Sequence, residues 1–531
     1  MNASSSMQPI RLNMAPLSQA MSSKVRSRTN PLPLLSLAVT APAIHLHRPN
    51  ITNIRKRLSS TSPAYRSSAG KVLKTYELDP RSLSQHLKVD QSRLLETLHH
   101  TCQWGKGKPW TNHLSTPEIL SETETGMSRL SLSDADKKVR DWFIDTTRSL
   151  GCVVKVDAMG NIFAIRPGKI SGHATDIASA PTYAGSHLDT QPAGGRYDGI
   201  LGITAGVEML RVLEENSVET AFDVGLVNWT NEEGARFPIS MVSSGVWAGE
   251  IPLHQAHELR EVGGKGATMK EELERIGYLG TLPASYEANP MAAHFELHIE
   301  QGPILEASKQ RIGVVCGVQA YRWYTIEVTG REAHTGTTPF SARADALLAA
   351  ARMISHSHEI ASNHSALASS GILSLSPGSV NTIPGKVKFS LDIRAPEDGT
   401  LDTIETQLQQ SFREIASRDM TKGLDLSVSW RKDSDSPATH FHQDCITIVR
   451  EAGEAVTGDK RLVRDMVSGA GHDSVYASRR CPTSMIFVPS RDGVSHHPEE
   501  YTSPEDCAIG AEVLMQSVLR YDRLRFERSR G

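Results

Sequence analysis

Three short segments of the sequence carry side chains suited to metal-assisted hydrolysis. They are GSHLDT at 185–190, GGRYDG at 194–199 and TNEEG at 230–234, each beside an apolar, strand-like run. They supply one imidazole and four carboxylates: His187, Asp189, Asp198, Glu232 and Glu233. Imidazole nitrogen and carboxylate oxygen both bind zinc at about 2.0–2.2 Å. A carboxylate left free of metal can act as general base toward a metal-bound water. The pattern therefore indicates a two-metal hydrolytic site.

The first two segments also have plainer interpretations. His187 and Asp189 are two residues apart, so both side chains leave the same side of an extended strand. Asp189 would then orient the imidazole, bind metal itself or cap a turn. Asp198 precedes a predicted helix over 199–216 and suits its N-cap, because Asp is favoured there. Taken singly, these residues leave the question open.

Acidic and imidazole side chains elsewhere extend the candidate site. The adjacent Glu232 and Glu233 point in different directions in an extended segment, so one can bind metal while the other faces the attacking water. The alternative is a solvated acidic loop. His334, in GREAHTGTTPF, is either an exposed turn residue or a donor to a developing oxyanion. His496 and His497 follow an apolar strand, and one of them could complete a metal site.

The surrounding elements predict a parallel α/β sheet. PTYAGSHLDT and FDVGLVNWT are strand-like, and the helix over 199–216 joins them. This order places the site at the carboxyl ends of the strands. HFELHIEQG at 294–302 alternates strictly, and its polar face is a candidate location for a further metal ligand. That face carries His294, Glu296, His298 and Glu300.

The chain divides into four predicted regions. Residues 1–80 are expected to be a disordered or transit-like extension, and 90–312 the first part of a catalytic domain with a mixed sheet flanked by helices. Residues 313–434 show the order β-α-β-β-α-β, which predicts an inserted α+β lid or dimerisation domain. Residues 435–525 are expected to complete the catalytic domain.

Composition narrows the cellular setting and the partners. The chain lacks Asp and Glu before Glu77, while Arg and Lys recur there, as in a mitochondrial transit peptide. We therefore expect a mitochondrial or cytoplasmic protein. The six cysteines are scattered without a CxxC pair, which fits a reducing compartment. The apolar run at 31–46 is short and broken by three prolines, so membrane insertion is not expected. Nucleic acid is not expected either, because no basic stripe with interleaved aromatics occurs.

Eight segments taken in order resemble a known enzyme family. They are GSHLDT, GGRYDG, TNEEGARF, HFELHIEQGP, GREAHTGTTP, GSVNTIPGKVKFSLDIR, SGAGHDS and GVSHHPEE. The set is similar to the dimetal amidohydrolases that include L-carbamoylases, β-ureidopropionase (β-alanine synthase) and allantoate amidohydrolase. These belong to the aminoacylase and carboxypeptidase-like metallopeptidases. The resemblance extends over about residues 90–522.

The resemblance implies roles for individual residues. The implied metal ligands are His187, Asp198 as the bridging carboxylate, Glu233, His298 and His496, with the SHxPxE pattern selecting His496 over His497. Glu232 matches the general base, and Asp189 the carboxylate behind His187. The positions that hold substrate are Gln301, His334, Asn381, Arg394 and His472. In this family the His334 position reaches the neighbouring subunit, so a homodimer is implied.

The implied activity is hydrolysis of the carbamoyl C–N bond of an N-carbamoyl amino acid or ureido acid, giving amino acid, CO2 and ammonia. The implied cofactors are two divalent metal ions, zinc first, with manganese, cobalt or nickel as alternatives. One alternative is allantoate or another purine-derived ureide as substrate. A second is a non-catalytic dimeric scaffold, which the full set of candidate ligands disfavours.

Overall fold

The computed structural model describes residues 72–77, 86–110, 123–170, 179–418 and 422–530. Residues 1–71 and 78–80 of the predicted extension lie outside this range, so its transit function stays a prediction. Residues 72–77 belong to the fold. Leu73 and Lys74 pair with Val218 and Glu219, and Tyr76 packs on Phe526 of the last helix with a centroid distance of 4.7 Å.

The described residues form twenty strands. They are β1 Leu73–Lys74, β2 Lys106–Pro109, β3 Thr125–Met127, β4 Val153–Val156, β5 Ile162–Arg166, β6 Thr182–His187, β7 Val218–Glu219, β8 Val224–Trp229, β9 Ala293–Ile299, β10 Ile312–Val318, β11 Ala320–Thr329, β12 Ala333–His334, β13 Leu367–Ser369, β14 Leu373–Ser376, β15 Thr382–Ile383, β16 Lys386–Ala395, β17 Ser427–Ser436, β18 Thr439–His440, β19 Val463–Ser468 and β20 Thr483–Val488.

The same residues form twelve α-helices. They are α1 Gln91–Thr101, α2 Asp134–Ser149, α3 Ile200–Glu215, α4 Val242–Trp247, α5 Leu253–His257, α6 Met269–Ile276, α7 Ile304–Ser308, α8 Ala346–Asn363, α9 Asp398–Ala416, α10 Gln443–Thr457, α11 Asp473–Ala477 and α12 Pro504–Arg530. Short 3-10 turns lie at Thr75–Glu77, Phe340–Ala342, Lys460–Leu462 and Arg491–Gly493. None of the described helices is both long and apolar enough to cross a membrane.

The larger sheet is mixed and brings the candidate site to one edge. Its strand order is β18-β10-β20-β9-β6-β8-β5-β4, with β19 beside β10. The central β20, β9, β6 and β8 run parallel, so their carboxyl ends meet at the same edge. After β6, the chain forms β8 on one side of β6 and later β9 on its other side. A crevice therefore opens at the end of β6, where open α/β sheets bind ligands.

Helix α3 shows how the larger sheet is stabilised. Thirteen of its residues are buried, because α3 lies between the sheet and the neighbouring helices α1 and α12. An apolar surface all round a helix is expected for such a position. Each large aliphatic side chain buried there contributes about 1.5–3 kcal/mol. The helix that follows Asp198 is thus fixed by its own packing.

The smaller sheet, which we call the lid sheet, has the order β13-β16-β11-β17, with β14 also paired to β16. Its pairings are antiparallel, and α8 and α9 cover one face around a separate hydrophobic cluster. These elements follow the predicted β-α-β-β-α-β order. The fold-class prediction, a helix-flanked mixed sheet with an α+β unit inserted, is confirmed.

Two elements of the larger sheet differ from the sequence prediction. β10 lies inside the predicted 313–434 lid segment, yet it pairs with β19 and β20 of the larger sheet. The lid sheet therefore begins at β11, and the boundary predicted after residue 312 was too early. β19 was not predicted, because VRDMVS mixes charged and apolar residues at an exposed edge. Helix α12, the last element, continues to Arg530.

Two fully buried arginines hold the loops that follow β6 and β8. Arg129 Nε donates to the Leu188 carbonyl at 2.7 Å, and its Nη1 donates to the carbonyls of Thr101 and Trp104 at 2.8 and 2.9 Å. Arg140 pairs with Asp136 at 2.7 Å. Its Nη2 reaches Thr230 Oγ1 at 3.2 Å. Each guanidinium ties a site loop to the helices behind it.

We expect Arg129→Met to lower the free energy of unfolding by about 3 kcal/mol or more, because it leaves buried carbonyl groups without donors at about 1–3 kcal/mol each. Chemical denaturation measures the change. Arg148→Met, on the exposed side of α2, is the matched control and should change stability by less than about 0.5 kcal/mol. Equal losses in the two variants would contradict the positioning role of Arg129.

Candidate active site

His187 ends β6 with its ring buried and oriented. Its Nδ1 lies 2.9 Å from the carbonyl oxygen of Asp189. A carbonyl can only accept, so Nδ1 carries a proton and Nε2 is the ring nitrogen turned toward Asp198 and Glu232. Although buried, Nε2 has no hydrogen-bond partner among the described residues. This is the state that a metal-binding histidine requires.

His298 in β9 is oriented in the same way. Its Nδ1 donates to the Ile299 carbonyl at 2.9 Å, and its Nε2 faces Asp198 Oδ1 at 3.1 Å. The other polar residues of β9 do not reach the site. Glu296 accepts from Ser186 and Ser474 in the interior, and burial lowers the pKa of His294 to about 4.

The Asp198 carboxylate lies at the centre of the site. Its Oδ1 is 3.4 Å from His187 Nε2, on the same side as His298. Its Oδ2 is 3.4 Å from His496 Nε2, which in turn is 3.5 Å from Glu233 Oε2. Two groups of donor atoms result, each within 4.8 Å: His187, Asp198 and His298, and Asp198, Glu233 and His496. Nitrogen and oxygen donors in two sets that share one carboxylate fit a pair of divalent cations.

The glycine after Asp198 makes this arrangement possible. Gly199 has φ +67°, and a Cβ there would lie 2.3 Å from the His187 ring. Gly199, not Asp198, is the N-cap of α3, so the N-cap interpretation of Asp198 was wrong. Asn231, Gln301 and His496 also adopt positive φ, between 54° and 59°. Strained non-glycine backbone costs about 1–3 kcal/mol per residue, and these three residues lie beside the ligands.

The acidic side chains of the site oppose one another. Burial, followed by the charge of the facing Asp198, raises the pKa of Glu233 to about 7. Burial also raises the pKa of Glu232 well above its usual range, with Asp473 and Glu233 contributing. Burial acts on Asp198 too, but the His298 and His187 imidazoles hold its pKa well below its usual range. Crowded buried carboxylates of this kind are stabilised by bound cations.

Asp189 holds the glutamate loop and not His187. Its Oδ1 accepts from the Glu232 backbone N–H and its Oδ2 from that of Glu233, both at 3.3 Å. The prediction that its carboxylate orients His187 is corrected, since the Asp189 carbonyl does so. Gln191, which the sequence reasoning missed, donates from its backbone and side chain to the Glu233 carboxylate at 3.1 and 2.7 Å.

The sequence reasoning also missed Glu500, which positions the loop that carries Asp198. Its buried Oε1 accepts from the backbone N–H groups of Tyr197 and Asp198 at 2.9 and 3.0 Å. A Cβ on Gly195 would lie 2.1 Å from the same oxygen, so only glycine fits there. The signal was present in the sequence, because Glu500 is the final residue of the SHxPxE pattern.

Three of the predicted substrate residues lie beside the ligands. Gln301 Nε2 donates to Asp198 Oδ2 at 2.8 Å. His472 is buried with its ring centroid 4.5 Å from that of His298. Arg394, from the lid sheet, lines the same cavity of about 190 Å3 as Asp198 and Glu232. Its guanidinium donates to the Gly469 carbonyl at 2.9 Å and pairs with Asp392 at 2.9 Å.

His334 and Asn381 lie elsewhere. Both are exposed, and neither lines this cavity. They are brought together by the β12–β15 ladder, in which Thr335 N–H donates to the Asn381 carbonyl at 3.0 Å. His334 Nδ1 accepts from the N–H groups of Gly336 and Thr337 at 3.1 and 3.2 Å, so its Nε2–H is left as a donor.

Comparison with known proteins places this site in a family. Residues 183–520 match the model of peptidase family M20/M25/M40. The N-carbamoyl-L-amino-acid amidohydrolase of Rhizobium meliloti is 39% identical over 412 residues, 77% of this chain and 95% of the relative. A ureidoglycolate hydrolase of Arabidopsis thaliana is 32% identical over 402 residues, 74% of this chain and 82% of the relative.

Solved structures agree with this placement. A hydantoinase/carbamoylase family amidase from Burkholderia multivorans superimposes with a TM-score of 0.72 at 40% identity, covering 82% of this chain and 98% of the amidase. The similarity therefore includes both sheets and the order of their motifs. The chain belongs to peptidase family M20/M25/M40, in the branch that contains the N-carbamoyl-L-amino-acid amidohydrolases, as its sequence motifs predicted.

Proposed function

We propose that this protein hydrolyses the carbamoyl C–N bond of an N-carbamoyl amino acid or related ureido acid, releasing amino acid, CO2 and ammonia. The observation that carries the proposal is one cavity with three components. It is lined by four of the five candidate ligands, by the carboxyl group of Glu232 and by the Arg394 guanidinium. The fifth candidate ligand, His187, lies with its Nε2 3.4 Å from Asp198 Oδ1. The named relatives support the same reaction.

Five residues are suited to hold two divalent cations, zinc first: His187, Asp198, Glu233, His298 and His496. When bound, the cations supply Lewis acidity toward the scissile carbonyl and lower the pKa of the attacking water. The donor types do not discriminate among zinc, manganese, cobalt and nickel. Four of these side chains are held in place before any cation binds. The His187 and His298 rings donate to backbone carbonyls, and the carboxylates of Asp198 and Glu233 accept from Gln301 and Gln191.

Glu232 is suited to move the proton. Its Oε2 lies 3.6 Å from His187 Nε2, and it belongs to neither ligand set. Its backbone is held at both sides, since Glu232 N–H donates to Asp189 and its carbonyl accepts from Met241 N–H at 2.7 Å. A carboxylate fixed beside the ligands takes a proton from the attacking water and gives it to the leaving nitrogen.

Arg394 is suited to hold the substrate carboxylate. Asp392 and the Gly469 carbonyl engage only part of its five donors, so N–H groups remain for a charge-assisted, two-point interaction. This accounts for a substrate that carries a carboxylate near the carbamoyl group. Ureidoglycolate also carries one, so a ureide substrate is the second candidate, favoured by the Arabidopsis relative.

A homodimer would complete the site. His334 presents an Nε2–H donor, and Asn381 lies beside it, yet both lie outside the cavity of their own chain. The neighbouring edge strand β14 exposes Leu373 and Leu375, and Val380 is fully exposed. We propose that this surface meets a second copy, whose cavity receives His334 as the donor to the tetrahedral oxyanion.

Glu232→Gln should lower kcat by about 100- to 10,000-fold, because proton transfer is lost while the shape of the side chain is kept. Metal content, measured by plasma mass spectrometry, should stay as in the parent protein. Glu258→Gln on the exposed surface is the control and should keep full activity. Near-normal turnover by the Glu232 variant would exclude the assigned base.

His496→Ala should reduce bound zinc from two ions per chain toward one, because it removes a ligand of only one set. His497→Ala is a closely matched control, since this adjacent histidine belongs to neither set and should leave the metal content unchanged. Full metal occupancy in the His496 variant, or equal loss in both, would contradict the ligand assignment.

Mixing two inactive variants tests the shared site. Glu232→Gln and His334→Ala should each be nearly inactive. Refolded or co-expressed together, they should recover about a quarter of the parent activity, because half of a random dimer population is mixed and each mixed dimer holds one complete site. No recovery, with dimers verified by light scattering, would show that His334 acts within its own chain or not at all.

A further inference from the structure

One face of the lid sheet carries an aromatic pair beside Arg394. In the β11–β16 ladder Tyr321 lies opposite Arg394, and Trp323 lies opposite Asp392. These four side chains point away from α8 and α9, because the alternate residues on both strands fill the lid core. We call this group the lid patch.

The lid patch faces the catalytic residues. Tyr321, Trp323 and Arg394 line the same cavity as Asp198 and Glu232. The Tyr321 and Trp323 rings have centroids 5.3 Å apart at an interplanar angle of 36°, and the Arg394 guanidinium carbon lies 5.4 Å from the Tyr321 centroid. The carboxylate anchor and the aromatic surface are therefore adjacent.

Trp323 is left open to this cavity. All seven tryptophans lie among the described residues. Trp323 is the most exposed of them, at 42%, whereas Trp229 and Trp247 are fully buried. A large aromatic surface left in water forgoes the free energy of its burial. Beside a catalytic centre, a substrate group that covers the ring would recover that energy.

The position of Arg394 determines which substrate group can cover the Trp323 ring. A carboxylate held by Arg394 puts the adjoining carbon of the substrate next to Tyr321. A substituent on that carbon then reaches Tyr321 and Trp323, while the carbamoyl group extends toward Asp198 and Glu232. Glycine and β-alanine carry no such substituent, and ureidoglycolate carries only a hydroxyl group. The neighbouring guanidinium disfavours a cationic substituent.

We propose that Tyr321 and Trp323 select substrates with a large apolar side chain, namely N-carbamoyl α-amino acids with aromatic or branched aliphatic groups. The inference rests on the proposed carbamoyl hydrolysis and names its substrate class. Contacts of one apolar group with a pocket discriminate by about 10- to 200-fold, so the preference should be measurable.

The test measures kcat/KM on zinc-reconstituted full-length protein. The four substrates are the N-carbamoyl derivatives of L-phenylalanine, L-leucine, glycine and β-alanine. The parent protein should prefer the first two over the last two by about tenfold or more. Trp323→Ala should lose at least about ten times more activity toward the phenylalanine derivative than toward the glycine derivative. Trp323→Phe should keep most of the preference.

Thr325→Ala is the matched control, because Thr325 is the next residue on the same face of β11 and lies outside the cavity. It should leave the preference unchanged. Product inhibition gives an independent readout, since L-phenylalanine should inhibit the parent more strongly than glycine and lose that advantage in Trp323→Ala.

Two results would overturn the selection while leaving the proposed function intact: a parent that prefers N-carbamoyl-β-alanine or N-carbamoylglycine, or a Trp323→Ala loss equal for all four substrates. Failure of the metal-loaded parent to hydrolyse any of the four would overturn the proposed function, and this inference with it.

Discussion

The site is built around the Asp198 carboxylate, because each of its two oxygens faces imidazole nitrogen. Asp198 can do so only because its backbone is fixed on each side. Glu500 accepts its N–H, and α3 begins immediately after Gly199, whose positive φ and missing Cβ leave room for the His187 ring. The apolar burial of α3 then supplies the energy that keeps this turn in place. The ligand geometry is thus a consequence of helix packing behind it.

Burying several carboxylates together in the crevice at the strand ends costs free energy. Each acidic side chain of the site is buried among others, which raises the pKa values of Glu232 and Glu233 and leaves the interior short of positive charge. The buried arginines do not enter the cavity. Arg129 and Arg140 instead hold the loops that follow β6 and β8. Among the described residues that line the cavity, Arg394 from the lid sheet is the one that brings a guanidinium to it.

The sequence predicts those parts of the molecule that depend on local pattern. His187 and His298 lie near the ends of strands, and Asp198 and Glu233 come after strands, whose apolar runs and flanking helices are visible in the sequence. A parallel sheet brings such strand ends together. Contacts between distant segments are not encoded in this way. Gln191 beside Glu233 and Arg129 behind Leu188 are ordinary residues until the fold places them. β19 was missed because an exposed edge strand does not need an apolar pattern.

The two sheets divide the chemistry between them. The candidate ligands and base lie at the carboxyl end of the larger sheet, while Arg394, Tyr321 and Trp323 reach the cavity from the lid sheet. The Gly469 carbonyl joins the two parts, since it accepts from Gln319 between β10 and β11 and from Arg394 on β16, both at 2.9 Å. That loop continues to His472, which packs on His298. A single carbonyl therefore relates the carboxylate anchor to the metal ligands. A substitution at Trp323 leaves both in place, because its side chain, on the cavity-facing side of the lid sheet, takes no part in these hydrogen bonds.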